Sequence, residues 1–305
     1  MLKGLSITPP IIGRISIGRV VEKNGKRLPE KDDQFTLTSQ VQNRQGWVLH
    51  PLDEALRKAG SSKLRAIPVR LLFNDPYLNL RAEYSLFDRE TGRPICVGNG
   101  ETCKRVGAEG VAIAPCPSPD GCSFGKAAGC KPYGRLNVVI GDDDELGSFI
   151  FRTTSYNSIR TLAARLHYYG AVSGGLLACL PLELKLRGKS TTQSYRSAIY
   201  YVDLGVRAGS TLEDTIGQAR ELNVQRKAAG FDQGALDAAA RLGFSNGAFE
   251  DSPEEAAAVV EEFYPEAAHG GPESNGDGSA TGEAPATTLR DKLDRQAALL
   301  GGKAA

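Results

Sequence analysis

Residues 103–130 read CKRVGAEGVAIAPCPSPDGCSFGKAAGC, and four of the six cysteines fall in these 28 positions, at 103, 116, 122 and 130. Eight of the 28 are glycine or proline and few are large and apolar, so the segment has almost no core of its own. A bound Zn²⁺ supplies the missing cohesion, because structural zinc contributes folding free energy on the order of 10 kcal/mol. The expected ligands are Cys103, Cys116, Cys122 and Cys130. Their turns (PCPSPDGC, AAGCKPYG) can point backbone N–H groups at sulfur, and Lys104, Arg105, Lys126 and Lys131 offset thiolate charge. Two alternatives stand beside zinc. Disulfides would staple the same loop in an oxidising compartment, and free thiols would need an apolar setting. Cys96, at a strand end, is a reserve ligand or a buried thiol, and Cys179 in LLACLPLEL is core. A zinc held by four cysteines keeps no position for a reactive water, which argues against zinc hydrolysis.

The strands around this segment set the fold class. Arg14–Val21 alternates apolar and polar residues, Asn24-Gly25 marks a turn, and 34–38 is a short strand. His50–Lys58 has a helical pattern. Strands follow at 67–73, at 80–87 (Leu80, Ala82, Tyr84 and Leu86 alternating with Arg81, Glu83, Ser85 and Phe87) and at 94–97. A hairpin pairs 135–140 with 148–152. Ile159, Leu162, Ala163 and Leu166 recur at helical spacing, with Thr154 or Ser155 as cap. Strands at 180–186 and 198–206 close the series. After Gly209 helices are expected at about 211–228, 232–242 and 253–264. The reading is an α+β fold: a strand-rich, zinc-stapled body, a C-terminal helical appendage and a disordered tail. The expected boundaries are 1–209 for the basic body, 210–265 for an acidic helical region, 266–287 for a disordered linker and 288–305 for a short terminal helix.

Charge divides along the same line. The chain is +1 overall, yet residues 1–209 hold 29 Lys and Arg against 19 acids, and residues 210–305 hold 8 against 17. Such a division suits a polyanion partner for the body. Within 150–209 the balance is 8 to 2, and the candidate nucleic-acid contacts are Arg160, Arg165, Lys185, Arg187, Lys189 and Arg196. The plain alternative is a solvated basic strand face. No apolar run approaches the ~20 residues of a membrane span, and Met1–Pro10 lacks the apolar core of a signal peptide, so the expected location is the cytoplasm. No phosphate loop, nucleophile elbow or paired-histidine pattern occurs. Asp142–Glu145 offers carboxylates for Mg²⁺, or simply a hairpin tip.

Three stretches together, GRISIGRVVEKNGKRLPEKDDQF (13–35), PCPSPDGCSFGKAAGCKPYGRLNVVI (115–140) and GSFIFRTTSYNSIRTLAARL (147–166), resemble the recombination directionality factor-like proteins of phages and integrative elements. The resemblance covers about residues 10–206. It implies a non-enzymatic protein that binds a recombinase of the serine integrase type, with the same four cysteines on metal; DNA as a further partner is read separately, from the basic charge. Similar proteins in proteobacterial mobile elements carry the labels hydrolase or metal-binding protein. A single-strand nucleic-acid-binding protein and a metal-dependent hydrolase are the alternative functions.

Overall fold

The computed structural model describes residues 10–23, 26–43, 46–60, 62–142, 147–190, 198–244, 259–260 and 263–264. Its frame is one sheet. The path across it runs β3 (Gly46–Leu49), β2 (Lys26–Asn43), β1 (Ile11–Lys23), β10 (Ser148–Thr153), β9 (Lys131–Ile140), β5 (Leu80–Phe87), β6 (Pro94–Gly98), β7 (Thr102–Gly107) and β8 (Gly110–Pro115). The sheet forks at β9. Its first half pairs with β5, from Ser85↔Lys131 to Leu80↔Leu136, and its last residues pair with β4 (Ala66–Leu71), from Leu71↔Val138 to Val69↔Ile140. Through β4 the sheet continues to β11 (Leu182–Ser190) and β12 (Ala198–Val206). Every pairing is antiparallel except β1 with β10.

Strand β9, where the sheet forks, is central, with β10 on one edge and β5 and β4 on the other. Along β9, Tyr133 to Val138 are all buried, as a central strand covered on both faces requires. Leu136, Val138, Phe149 and Phe151 from β9 and β10 meet Leu182, Leu184, Val202 and Leu204 in the main core. Helix α5 (Tyr156–Val172) seals one face of it. Ser155 caps the helix by accepting the Ser158 N–H at 3.4 Å, and Ile159, Leu162, Leu166 and Tyr169 turn inward. Two contacts fix its pose. Ser158 Oγ accepts the Val202 N–H at 3.1 Å. At Gly134 a Cβ would lie 2.8 Å from Ile159, so β9 runs directly beneath the helix.

The expected strands and the expected helix at 50–58 all form. The helix is α1 (Pro51–Ala59), with His50 Nδ1 accepting the Leu52 N–H at its start. The expected alternation in β5 does not hold: Ser85, Leu86 and Phe87 are buried in succession. Leu86 faces the cysteines, while Phe87 packs with Tyr133, Val259 and Phe263, so both faces of the strand end are covered. Besides a 3-10 turn at Leu177–Cys179, six short elements were not foreseen: strands β3, β7 and β8, and helices α2 (Pro76–Asn79), α3 (Ser118–Gly121) and α4 (Ser123–Ala128).

After β12 come α6 (Leu212–Ala228) and α7 (Gln233–Phe244). A capping box starts α6: Thr211 Oγ1 accepts the Asp214 N–H and Asp214 accepts the Thr211 N–H. Ala219 of this helix is fully buried in the main core. In the expected helix at 253–264, the described residues 259, 260 and 263 are helical, and Tyr264 Oη donates to the Phe87 carbonyl at 2.7 Å. The expected linker 266–287 and terminal helix 288–305 lie outside the described residues. Among the described residues no helix is long and apolar enough to cross a membrane.

Candidate functional site

Two regions draw the expected functional residues together. The first is a thiol pocket under the end of the sheet. Cys103 stands on β7, Cys116 follows β8, Cys122 caps α4, and Cys130 precedes β9. Strand β6 adds Cys96, which is buried and hydrogen-bonded to Cys103. Two glycines make room for sulfur. A Cβ at Gly98 would sit 2.8 Å from Cys116 Sγ and 2.7 Å from Cys103 Cβ, and one at Gly125 would sit 3.1 Å from Cys130 Cβ.

Electrostatics differ among these thiols. Gly125 N–H donates to Cys122 Sγ at 3.3 Å and Arg105 Nη2 donates to it at 3.6 Å, which together lower the Cys122 pKa. Burial, then the neighbouring Cys96, raises Cys103. Burial above all pushes Cys130 up to about 12, so without a metal it is a neutral thiol. The Arg105 guanidinium also lies 4.4 Å over the Phe124 ring. It takes the charge-offsetting place expected of it, whereas Lys131 lies over Phe263.

Among the described residues no three Cys, His, Asp or Glu side chains converge as a metal-holding group. The fold gathers the four expected ligands into one pocket without closing their sulfurs around a point. The donor set nevertheless fits zinc in chemistry: soft thiols from four segments, two glycine notches, and N–H and guanidinium donors directed at sulfur. Cys179 is buried in the main core, as expected.

The second region is the basic face. On α5, Arg160 is exposed, and Arg165 Nε bonds Asp203 Oδ1 at 3.1 Å. From the adjoining hairpin, Arg187 Nε bonds Asp203 Oδ2 at 3.3 Å and Lys189 Nζ bonds Asn157 Oδ1 at 3.1 Å. Lys185 turns toward Glu183 at 2.7 Å and the Val206 carbonyl. Five of the six expected contacts therefore share one surface; Arg196 lies outside the described residues. No local pattern marked Asp203 as the partner of two of these arginines. Nor did one show that Tyr156 and Tyr168 are exposed on the same helix. The missed signal was a 17-residue helix without a single acidic residue.

Asp142, the one described member of the acidic turn, is taken up by arginines. Arg207 Nη1 and Nη2 donate to its two oxygens at 2.6 and 2.8 Å, and Arg70 reaches it at 3.0 Å. The Arg207 bonds hold its pKa below the ordinary 3.8. A depressed carboxylate stabilises the fold above its unfolded pKa and loses that contribution as pH falls through its folded value. Asp142→Asn should therefore cost under about 1 kcal/mol at neutral pH, since the pair is half-exposed. The cost should shrink below about pH 4, read as converging urea midpoints of variant and parent.

With this geometry in hand, a family profile described as Recombination directionality factor-like matches residues 12–207, from the start of β1 to the end of β12. The chain belongs to the recombination directionality factor-like family. No curated protein and no solved structure matches the chain. The family span contains both the thiol pocket and the basic face, and α6 begins just beyond it. The family resemblance carried by the motif segments is thereby borne out, and it associates the chain with recombination of mobile DNA.

Proposed function

We propose that this recombination directionality factor-like protein is a non-enzymatic accessory factor of mobile-element DNA recombination, acting by binding a recombinase and DNA. Family membership across residues 12–207 is the observation that carries this reading. A factor of this kind supplies a coupling free energy: contacts that differ between two recombinase–DNA states shift the balance between them. Edge strand β8 suits the protein contact. It carries no charge, and Val111 and Ile113, with Val106 across from Val111 on β7, are exposed. An uncharged open edge accepts a partner strand through its free backbone groups.

The thiol pocket is proposed to hold one Zn²⁺ through Cys103, Cys116, Cys122 and Cys130. The metal would supply cohesion to β7, β8 and α4, and with them hold the edge strand in place. The test of the function is a recombination assay with a serine integrase from the same mobile element. Adding the chain should shift the products between integration and excision, and the two proteins should co-purify. Unchanged product ratios together with no association would overturn it.

The basic face is proposed as the DNA contact. Arg160 and Lys189 are exposed, and among the described residues neither has an acidic partner to leave stranded. Reversing both, Arg160→Glu with Lys189→Glu, should weaken DNA binding at low salt. It should also flatten the slope of log K against log salt by roughly 2, because each phosphate contact contributes about 0.9. Unchanged affinity and slope would leave these side chains as solvated surface.

A further inference from the structure

The five described basic side chains do not account for the whole of this face. Helix α5 reads YNSIRTLAARLHYYGAV and holds no Asp or Glu. At about 100° per residue, its buried residues Ser158, Ile159, Leu162, Leu166 and Tyr169 occupy one side. The opposite arc carries Tyr156, Arg160, Ala164 and Tyr168 at successive four-residue steps, with Arg165 at its margin. Tyr156 is 59% exposed and Tyr168 50%. Twelve residues separate them, about 18 Å along the axis at 1.5 Å per residue. Tyr168 packs edge-to-face on the buried Tyr169 at 5.4 Å, yet half of its surface, and more of that of Tyr156, stays open to solvent with an arginine between the two rings.

The charges beside this ridge are incompletely neutralised. Asp203 is one carboxylate shared by two guanidiniums, Arg165 and Arg187, whose side chains are 48% and 52% exposed. Lys189 is held by the neutral amide of Asn157, on the first turn of the same helix. A groove of about 440 Å³ continues from Arg165 and Arg187 toward Lys185 and Arg207. Helix ridge and strand end thus make one surface, cationic along one flank and aromatic at both ends.

We infer that this surface binds single-stranded DNA, with Tyr156 and Tyr168 stacking on bases and Arg160, Arg165, Arg187 and Lys189 meeting phosphates. The inference rests on reading the basic face as a DNA contact and adds the strandedness of the ligand. Cations alone serve a duplex as well as a single strand. The tyrosine rings make the difference: a duplex keeps its base faces inside the stack, and only an unpaired strand offers them to a side chain. A tyrosine can also serve a duplex, by donating its hydroxyl to a phosphate, so the decisive test separates ring from hydroxyl.

Fluorescence anisotropy on the full chain would compare labelled oligothymidylate with a duplex of equal length, between about 50 and 200 mM salt. The single strand should bind more tightly. Tyr156→Ala with Tyr168→Ala should weaken single-strand binding at least tenfold while leaving the salt slope in place, because no phosphate contact is lost. Tyr156→Phe with Tyr168→Phe should bind as the parent does. Both tyrosines are exposed, so the variants should keep the parent's circular dichroism. Equal binding of duplex and single strand, with no effect of the alanine pair, would overturn the inference and leave the basic face as a duplex contact. Loss in the phenylalanine pair equal to that in the alanine pair would also overturn it, since the hydroxyls would then be the contact. Binding of neither DNA would overturn both this inference and the reading of the face.

Discussion

Protein purified without chelator carries one zinc per chain, and Cys122→Ser carries none: that is the expected result of elemental analysis. The segment from β7 to the start of β9 explains why. Residues 106–113 are exposed throughout, and among the described residues the apolar packing beneath them is a small cluster of Leu86, Cys96 and Cys103 with partly buried neighbours. So small a cluster cannot order a segment of this length against its conformational entropy. Apparent zinc affinity in such sites is worth on the order of 10 kcal/mol, and one serine in place of a thiolate opens the site. Hydrogen exchange should then rise from β7 to the start of β9 while β11 and β12 keep their protection. Cys96→Ser is the informative comparison, because Cys96 shares the pocket and bonds Cys103 without belonging to the proposed set. It should keep its zinc. Metal lost from Cys96→Ser and kept in Cys122→Ser would exchange the two in the ligand set, and zinc-free parent protein would remove the metal altogether.

The thiol pocket and the basic face were legible in the sequence to different depths, for physical reasons. Cysteine spacing announced the first, since four thiols in so polar a stretch are hard to place otherwise. The strands within it were illegible. The apolar residues of β8 are Val111, Ala112, Ile113 and Ala114, too small and too uniform to alternate, and its outer half is exposed on both faces. For the basic face, periodicity found helix α5 and its Ser155 cap, because one side of the helix is buried and the other is not. It could not find Asp203, which meets Arg165 across 38 residues and Arg187 across 16. Nor could a local pattern give the fork at β9, where β5 and β4 take successive parts of the same strand edge. Long-range pairings of that kind are chosen by the assembled core. The tyrosines of the ridge were visible all along, but only the burial of Ile159, Leu162 and Leu166 showed which way they point.

The other large effect is expected at a residue in neither site. Asp53, on α1, is buried, and its carboxylate does two things. Oδ1 accepts the Leu37 N–H of β2 at 2.9 Å. Both oxygens also hold Arg57 one helical turn on, through Nε at 2.7 Å and Nη2 at 3.2 Å. Arg57 in turn donates to Gln34 Oε1 and to the carbonyls of Phe35 and Ser62, so one ion pair ties α1 to β2 and to the connection that follows the helix. Asp53→Ala would leave a buried N–H without its acceptor and a half-buried guanidinium without its anion. Breaking one side of a buried pair costs about 3–5 kcal/mol, a large share of the 5–15 kcal/mol that holds an ordinary domain together. Asp53→Asn keeps an acceptor for Leu37 but removes the charge, so its cost should fall between parent and alanine variant. Urea unfolding at neutral pH reads both, as a lower midpoint at unchanged slope. Zinc content and DNA affinity of the folded variants should match the parent, because neither Asp53 nor Arg57 belongs to the thiol pocket or to the α5 face. An alanine variant within about 0.5 kcal/mol of the parent, the range of ordinary surface substitutions, would mean that water replaces the carboxylate at no cost, and that α1 is held to β2 by its apolar contacts, Leu52 and Leu56, alone.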